Sequence, residues 1–240
     1  MCTIYNKKVS WTIDGEFIEK INKHLVKDKN EIAGKILFTD YDCQNNICDK
    51  KISNYKISEG NGSSVYTPYG IINYHTHPKK CYTDEDAVFG WPSGEDMRQC
   101  LSFADKNNLV HIVFTMEGAY IIKVLNIIDN KHRGIMEDIL KYTHIFRSSD
   151  QSNQLEKFKK YMKPIKKINN NNTVKIWLDL INNLNLKQIY ILNNYLNNKN
   201  LKIPNDNNKI FNVELKKYNK SLKFNANYIS EKCHLKNYKK

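Results

Sequence analysis

The chain has 240 residues, 40% of them hydrophobic, with 38 Lys and Arg against 25 Asp and Glu, a formal net charge of +13. No run approaches the roughly 18–20 apolar residues needed to cross a bilayer, and the N-terminal MCTIYNKKVS has no apolar stretch behind its charges. Neither a membrane-spanning nor a secreted protein is expected. The charge is unevenly placed, because residues 1–150 carry a net −1 and residues 151–240 a net +14, and Asn rises from 12 to 21 across the same divide. This predicts a near-neutral domain over residues 1–150 and a Lys- and Asn-rich basic, largely helical extension over 151–240. The six cysteines (Cys2, Cys43, Cys48, Cys81, Cys100, Cys233) are scattered and suggest free thiols in a reducing, cytoplasmic setting, with nuclear entry open. Cys43 and Cys48 have metal-ligand spacing, but no second pair completes four ligands.

In chain order, residues 9–13 alternate as a strand, and Phe17, Ile18, Ile21 and Leu25 then recur at helical spacing after Asp14-Gly15. Residues 31–38 form a short apolar strand that runs into a polar loop at 39–50. A further strand is expected over 51–58, followed by loop chemistry at 59–64 and a strand from Tyr69 to Tyr74 leading into His75-Thr76-His77-Pro78. From Ser93 the period changes: Met97, Cys100, Leu101 and Ala104 predict a helix to about residue 106. A buried strand (110–116) and a second strand (119–125) meet across Glu117-Gly118 as a hairpin. Ile135, Ile139, Tyr142 and Phe146 mark another helix. Beyond residue 150, helical stripes recur at Ile176, Trp177, Leu180 and Ile181 and at Ile189, Ile191, Leu192 and Leu196. The fold class is α/β.

Three pieces of this chain carry chemistry. In a strand, residues i and i+2 share a face, so His75 and His77 can offer two imidazoles to one metal ion. Asp96, in the first turn of the helix opened by Ser93, is compatible with the helix dipole and can turn toward the same ion. An open tetrahedral zinc with these three ligands lowers the pKa of its bound water toward about 7. Glu31, delivered from a neighbouring strand, is suited to move the proton, and Ser93 can donate a hydrogen bond to an oxyanion. The set describes hydrolysis of an amide.

A distant Glu31, His75-Thr76-His77-Pro78 and Ser93-Gly94-Glu95-Asp96 together resemble the JAMM signature of the MPN-plus metalloprotease family, over roughly residues 8–130. The resemblance implies an MPN, cytidine-deaminase-like mixed sheet flanked by helices. It implies one zinc ion per chain on His75, His77 and Asp96, with Glu31 as acid/base and Ser93 on the oxyanion. It further implies cleavage of isopeptide bonds made by ubiquitin or ubiquitin-like proteins. The alternative is a non-catalytic MPN scaffold whose basic tail contacts nucleic acid or an acidic partner.

This sequence departs from the family in one respect. Fifteen residues, 78–92, separate the second His from the Ser, where about seven are usual. A competing register at Thr83-Asp84-Glu85-Asp86 is set aside because no amphipathic helix follows it. The extra residues 79–91, with Cys81, Tyr82, Phe89 and Trp91, are expected to form a lip over the site. His111 reads as a satisfied core or edge histidine, His24, His132, His144 and His234 as exposed, and Cys100 as packing. The basic tail, with Tyr190, Tyr195, Tyr218 and Tyr228 interspersed, would allow salt-sensitive binding of a polyanion or acidic protein, although no phosphate loop or nucleic-acid motif accompanies it.

Overall fold

The computed structural model describes residues 2–38, 47–48, 52–61, 64–84, 86–219 and 221–233. The expected loop at 39–50 lies mostly outside these residues, as do Cys43 and His234. A mixed six-stranded sheet runs in the order β4 (Ile52–Glu59), β2 (Ile32–Phe38), β5 (Ile72–Thr76), β6 (Val110–Thr115), β7 (Gly118–Val124), β8 (Phe211–Lys216). Within this sheet the β5–β6 pair is parallel and the other described pairs are antiparallel. A parallel pair requires a crossover, which here contains two helices, α2 (Lys79–Asp84) and α3 (Gly94–Ala104). A second sheet places β1 (Cys2–Ile13) between β3 (Ile47–Cys48) and β9 (Leu222–Cys233).

The two-residue period of the central strands sorts their side chains between two cores. Ile112 and Phe114 of β6, with Ile72 and Tyr74 of β5, face α1 (Gly15–Lys27), which buries Phe17, Ile18, Ile21 and Leu25 there. Asp14 caps α1, its side chain accepting from the Phe17 N–H at 2.9 Å. On the opposite face, Val113, Tyr120 and Ile122 meet Met97, Cys100 and Leu101 of α3 and the helix α4 (Asn130–Lys141). Asn73, His75 and His111 have the parity of this second face. The alternation that builds the core therefore also delivers the polar residues of the site to one side of the sheet. The connection between β6 and β7 is Met116-Glu117, and Gly118 has φ +145, a conformation open to glycine; a Cβ there would come within 2.5 Å of the Lys216 carbonyl oxygen.

The C-terminal residues depart from the expectation of an appended helical extension. They contribute α5 (Gln151–Met162), α6 (Thr173–Asn183) and α7 (Leu186–Leu196), but also two strands. Strand β8 pairs with β7 throughout, and β9 pairs with β1 from Cys2↔Cys233 to Ile13↔Leu222. Phe158, Tyr161, Ile176, Trp177, Leu180, Ile189 and Leu192 share one core with Trp91, Met97 and Val113. Residue 150 is a boundary of composition only. Most of the described lysines lie on outer faces, while the apolar stripes between them cover the sheet, which is the stronger thermodynamic demand; Asn185 and Asn193 are buried with those stripes. Tyr190 is buried in that core, and Tyr218 is held at the end of β6, its hydroxyl donating to the Thr115 carbonyl at 2.6 Å.

Candidate metal centre

The site is assembled where β2, β5 and the N-terminus of α3 meet. Thr76, between the two histidines, points to the other side of the strand, and its hydroxyl accepts from the Ile32 N–H at 3.0 Å. This bond ties the start of β2, and so Glu31, to the histidine strand. The backbone of Glu31 is held in turn by Gly60, whose N–H donates to the Glu31 carbonyl at 2.9 Å. The His77 N–H donates to the Phe114 carbonyl at 2.8 Å, extending the β5–β6 pairing one residue beyond the strand.

Helix α3 starts with a reciprocal capping box: Ser93 Oγ accepts from the Asp96 N–H at 3.0 Å and Asp96 Oδ2 accepts from the Ser93 N–H at 2.6 Å. The box locks the Asp96 carboxylate over the first turn. Gly94 allows the close approach of α4, since a Cβ would lie 2.8 Å from the Glu137 carbonyl oxygen.

His75, His77 and Asp96 form a group able to hold a metal ion. His75 Nε2 lies 3.1 Å from His77 Nε2 and 3.4 Å from Asp96 Oδ1, and His77 Nε2 lies 3.6 Å from Asp96 Oδ2. A tetrahedral zinc bound at about 2.0–2.1 Å places neighbouring ligand atoms about 3.3 Å apart, so the spacing fits such an ion. Orientation fits as well: His77 Nδ1 donates to the Gly90 carbonyl at 2.7 Å, which leaves the Nε2 lone pair of the neutral ring directed at the cluster. His75 Nδ1 lies 2.8 Å from His111 Nε2, and His111 Nδ1 lies 2.8 Å from Asn73 Oδ1.

Glu31 Oε1 stands 4.0 Å from His77 Nε2, and the Cys81 thiol donates to it at 3.8 Å. Burial raises its carboxyl above the usual range, opposed by the neighbouring His77 and His75. Burial also acts against ionised Asp96, but the two imidazoles outweigh it and hold that carboxyl well below the ordinary value. For His77, burial opposes the charged form, whereas Asp96 and then Glu31 raise its proton affinity overall. Burial and the proximity of His75 depress His111 well below the usual imidazole value, so its ring is neutral.

All five predicted residues, Glu31, His75, His77, Ser93 and Asp96, line a single cavity of about 300 Å³. The rejected register does not reach it: Asp84 pairs with Lys80 on the surface, and Asp86 accepts from Ser149 Oγ. The lip is divided. Cys81, Tyr82 and Phe89 line the cavity, but Trp91 is fully buried and stacks on Trp177 with ring centroids 5.8 Å apart. Removing an indole from water outweighs the reach a surface lip would gain from it. The cavity also receives Arg147, which sequence spacing did not single out, and His144, which was expected to be exposed but is half-buried against the site. Cys100 is buried on α3's core face, as its spacing indicated.

Behind the His75–His77–Asp96 group lie His111, a satisfied core histidine as its strand position indicated, and Glu117, which no spacing marked. His111 is 2% exposed and joined to His75, and Glu117 accepts from the Gly90 N–H at 2.8 Å, the Tyr82 hydroxyl at 2.5 Å and the Tyr120 hydroxyl at 2.9 Å. Burial foremost, with the Glu117 carboxylate second, holds both phenols protonated and hence as donors.

No family model and no solved structure matches the chain. A stretch of 64 residues, 27% of the chain, is 34% identical to a protein of Frog virus 3 (isolate Goorha) described as uncharacterized protein 3R. That match spans 14% of the viral protein's length.

Proposed function

We propose that this protein is a zinc-dependent isopeptidase of the JAMM type, built on an MPN fold and removing ubiquitin or a ubiquitin-like modifier. The observation that carries the reading is the meeting of Glu31 with His75, His77 and Asp96 in one cavity, at separations suited to a four-coordinate ion. The order of elements supports it: α1, then β2 behind Glu31, β5 with the histidines, α3 with Ser93 and Asp96, and the β6–β7 hairpin.

A zinc ion held by His75, His77 and Asp96 would supply Lewis acidity and an activated water at neutral pH. Glu31 then acts as proton carrier at its carboxylate, taking a proton from the attacking water and giving it to the leaving lysine amine. Its placement beside His77, shielded from solvent, suits both transfers. Ser93 Oγ accepts from the Asp96 N–H and keeps its own proton, which it donates to the carbonyl oxygen as that oxygen gains charge. Cys81 and Tyr82 of the lip helix α2 line one side of the cavity.

The test is metal content measured beside cleavage of a panel of diubiquitins and ubiquitin-like conjugates. Wild type is expected to contain about one zinc per chain, and Glu31→Gln to keep the zinc while losing amide cleavage. Retained cleavage in Glu31→Gln would remove Glu31 from its role. A folded protein that takes up no zinc would end the metalloprotease reading altogether.

A further inference from the structure

Behind the ligand cluster, a chain of hydrogen bonds has a direction that can be read from its far end. Asn73 is fully buried, and its Nδ2 donates to the Pro68 carbonyl at 3.2 Å. Its Oδ1 accepts from Asn108 Nδ2 at 3.0 Å. Asn108 Nδ2 in turn faces the carbonyls of Gly70 at 2.7 Å and Val110 at 3.1 Å, so its identity as the amide nitrogen is fixed by its surroundings. The Asn73 amide is thus oriented from both ends. An oxygen acceptor therefore faces His111 Nδ1 at 2.8 Å, and that nitrogen must carry a proton.

A neutral imidazole has one N–H, so His111 Nε2 is left as an acceptor, and it lies 2.8 Å from His75 Nδ1. The two rings are 27° from coplanar with centroids 5.0 Å apart, the arrangement of imidazoles joined edge to edge. His75 Nδ1 then carries a proton, and His75 Nε2 presents its lone pair to His77 and Asp96. Had the chain run the other way, an N–H would occupy the ligand position.

We propose that His111, oriented by Asn73, is a positioning residue that fixes the tautomer of His75 and so prepares Nε2 to bind the metal ion. The proposal rests on the reading of His75, His77 and Asp96 as a metal centre. It adds a role for a strand histidine 36 residues away in sequence, whose other close neighbour is the Phe103 ring, centroid to centroid 5.4 Å. Partners of this kind, which hold a ligand histidine through its second nitrogen, typically change metal affinity by about 10–100-fold when removed.

The experiment uses the full chain. Long-range proton–nitrogen correlation spectra of the ¹⁵N-labelled, zinc-free protein at about pH 8, above the ordinary imidazole value, report which nitrogen of each histidine is protonated. The expected result is Nδ1–H on His75 and on His111. In His111→Leu, the single tautomer of His75 should be lost and zinc affinity should fall by about 10–100-fold. In His111→Gln, whose side chain offers both an acceptor and a donor, most of the affinity should return. A proton on Nε2 of His75 in the wild type overturns the proposal, as does a folded His111→Leu with unchanged tautomer and zinc affinity. If His111→Leu does not fold, the wild-type spectrum and the affinity of His111→Gln decide. Failure to bind zinc at all would strike the metal reading, while the spectrum would still judge the direction of the relay.

Discussion

His77 Nδ1 lies 2.7 Å from the carbonyl oxygen of Gly90, so a side chain able to ligate a metal is oriented by the backbone of the lip. The same residue is held from the other side, because the Gly90 N–H donates to Glu117, which also accepts from Tyr82 and Tyr120. The lip is therefore coupled to the ligand geometry. A Cβ at Gly90 would lie 2.1 Å from the Tyr82 hydroxyl oxygen, which is pinned rather than free to swing. Gly90→Ala is expected to displace Tyr82, lose about 1–3 kcal/mol of stability and weaken zinc binding. Gly134→Ala is the control: it sits in α4 with open space around a new Cβ and should gain up to about 1 kcal/mol. Urea titrations of the two variants separate a crowded glycine from an unconstrained one.

Ser93 has two tasks that substitution can divide. As the cap of α3, its replacement by Ala should cost about 0.5–2 kcal/mol, whereas Gly should cost only a few tenths. As an oxyanion donor, its loss should reduce turnover by about 10²–10³-fold in either variant. Unequal stabilities with equally depressed kcat would support both tasks. Turnover that tracks the melting temperature would leave Ser93 with the capping role alone.

Zinc should stabilise the folded chain measurably. The two Nε2 atoms 3.1 Å apart and the Asp96 carboxylate bring three electron-pair donors together within reach of one cation. Free zinc at about 100 times its Kd contributes about 2.7 kcal/mol, read as a rise in Tm that a chelator reverses. Asp96→Asn should abolish most of that rise. Protons compete with zinc for the His77 imidazole, whose proton affinity Asp96 and Glu31 raise, so the zinc-dependent increment should shrink as pH falls, beginning above the ordinary imidazole value of about 6.5. An increment that persists in Asp96→Asn would place the zinc elsewhere.

The C-terminal residues should be indispensable to the fold. Trp91 lies between Phe89 and Trp177, with ring centroids 5.5 and 5.8 Å away, and Tyr120 meets Trp177 edge-on at 5.5 Å. Trp177→Ala, 86 residues from Trp91 in sequence, should cost about 3–5 kcal/mol. A chain ending at residue 150 would expose this aromatic stack and leave β7 as an open edge, so it is expected to aggregate. A soluble, zinc-binding fragment of residues 1–150 would contradict that arrangement.

Sequence periodicity located what depends on neighbours in the chain. The stripe at Phe17, Ile18, Ile21 and Leu25 places α1, the two-residue spacing of His75 and His77 puts both imidazoles on one strand face, and Ser93 with Asp96 marks the capped start of α3. These signals are local because 3.6- and 2-residue repeats and capping are set within a few residues. Where a strand finds its partner is not local. That β6 lies parallel to β5 brings His111 to His75 and turns an ordinary core histidine into a ligand's neighbour. That β8 and β9 close against β7 and β1 makes the described part of the basic segment, up to residue 233, belong to the same body. The sequence by itself determined the candidate ligand types and the charge imbalance; the tertiary structure decided what the second nitrogens of His75 and His77 face and where the described part of the charged tail lies. Those two outcomes depend on burial and pairing between residues tens of positions apart, which no composition or spacing encodes.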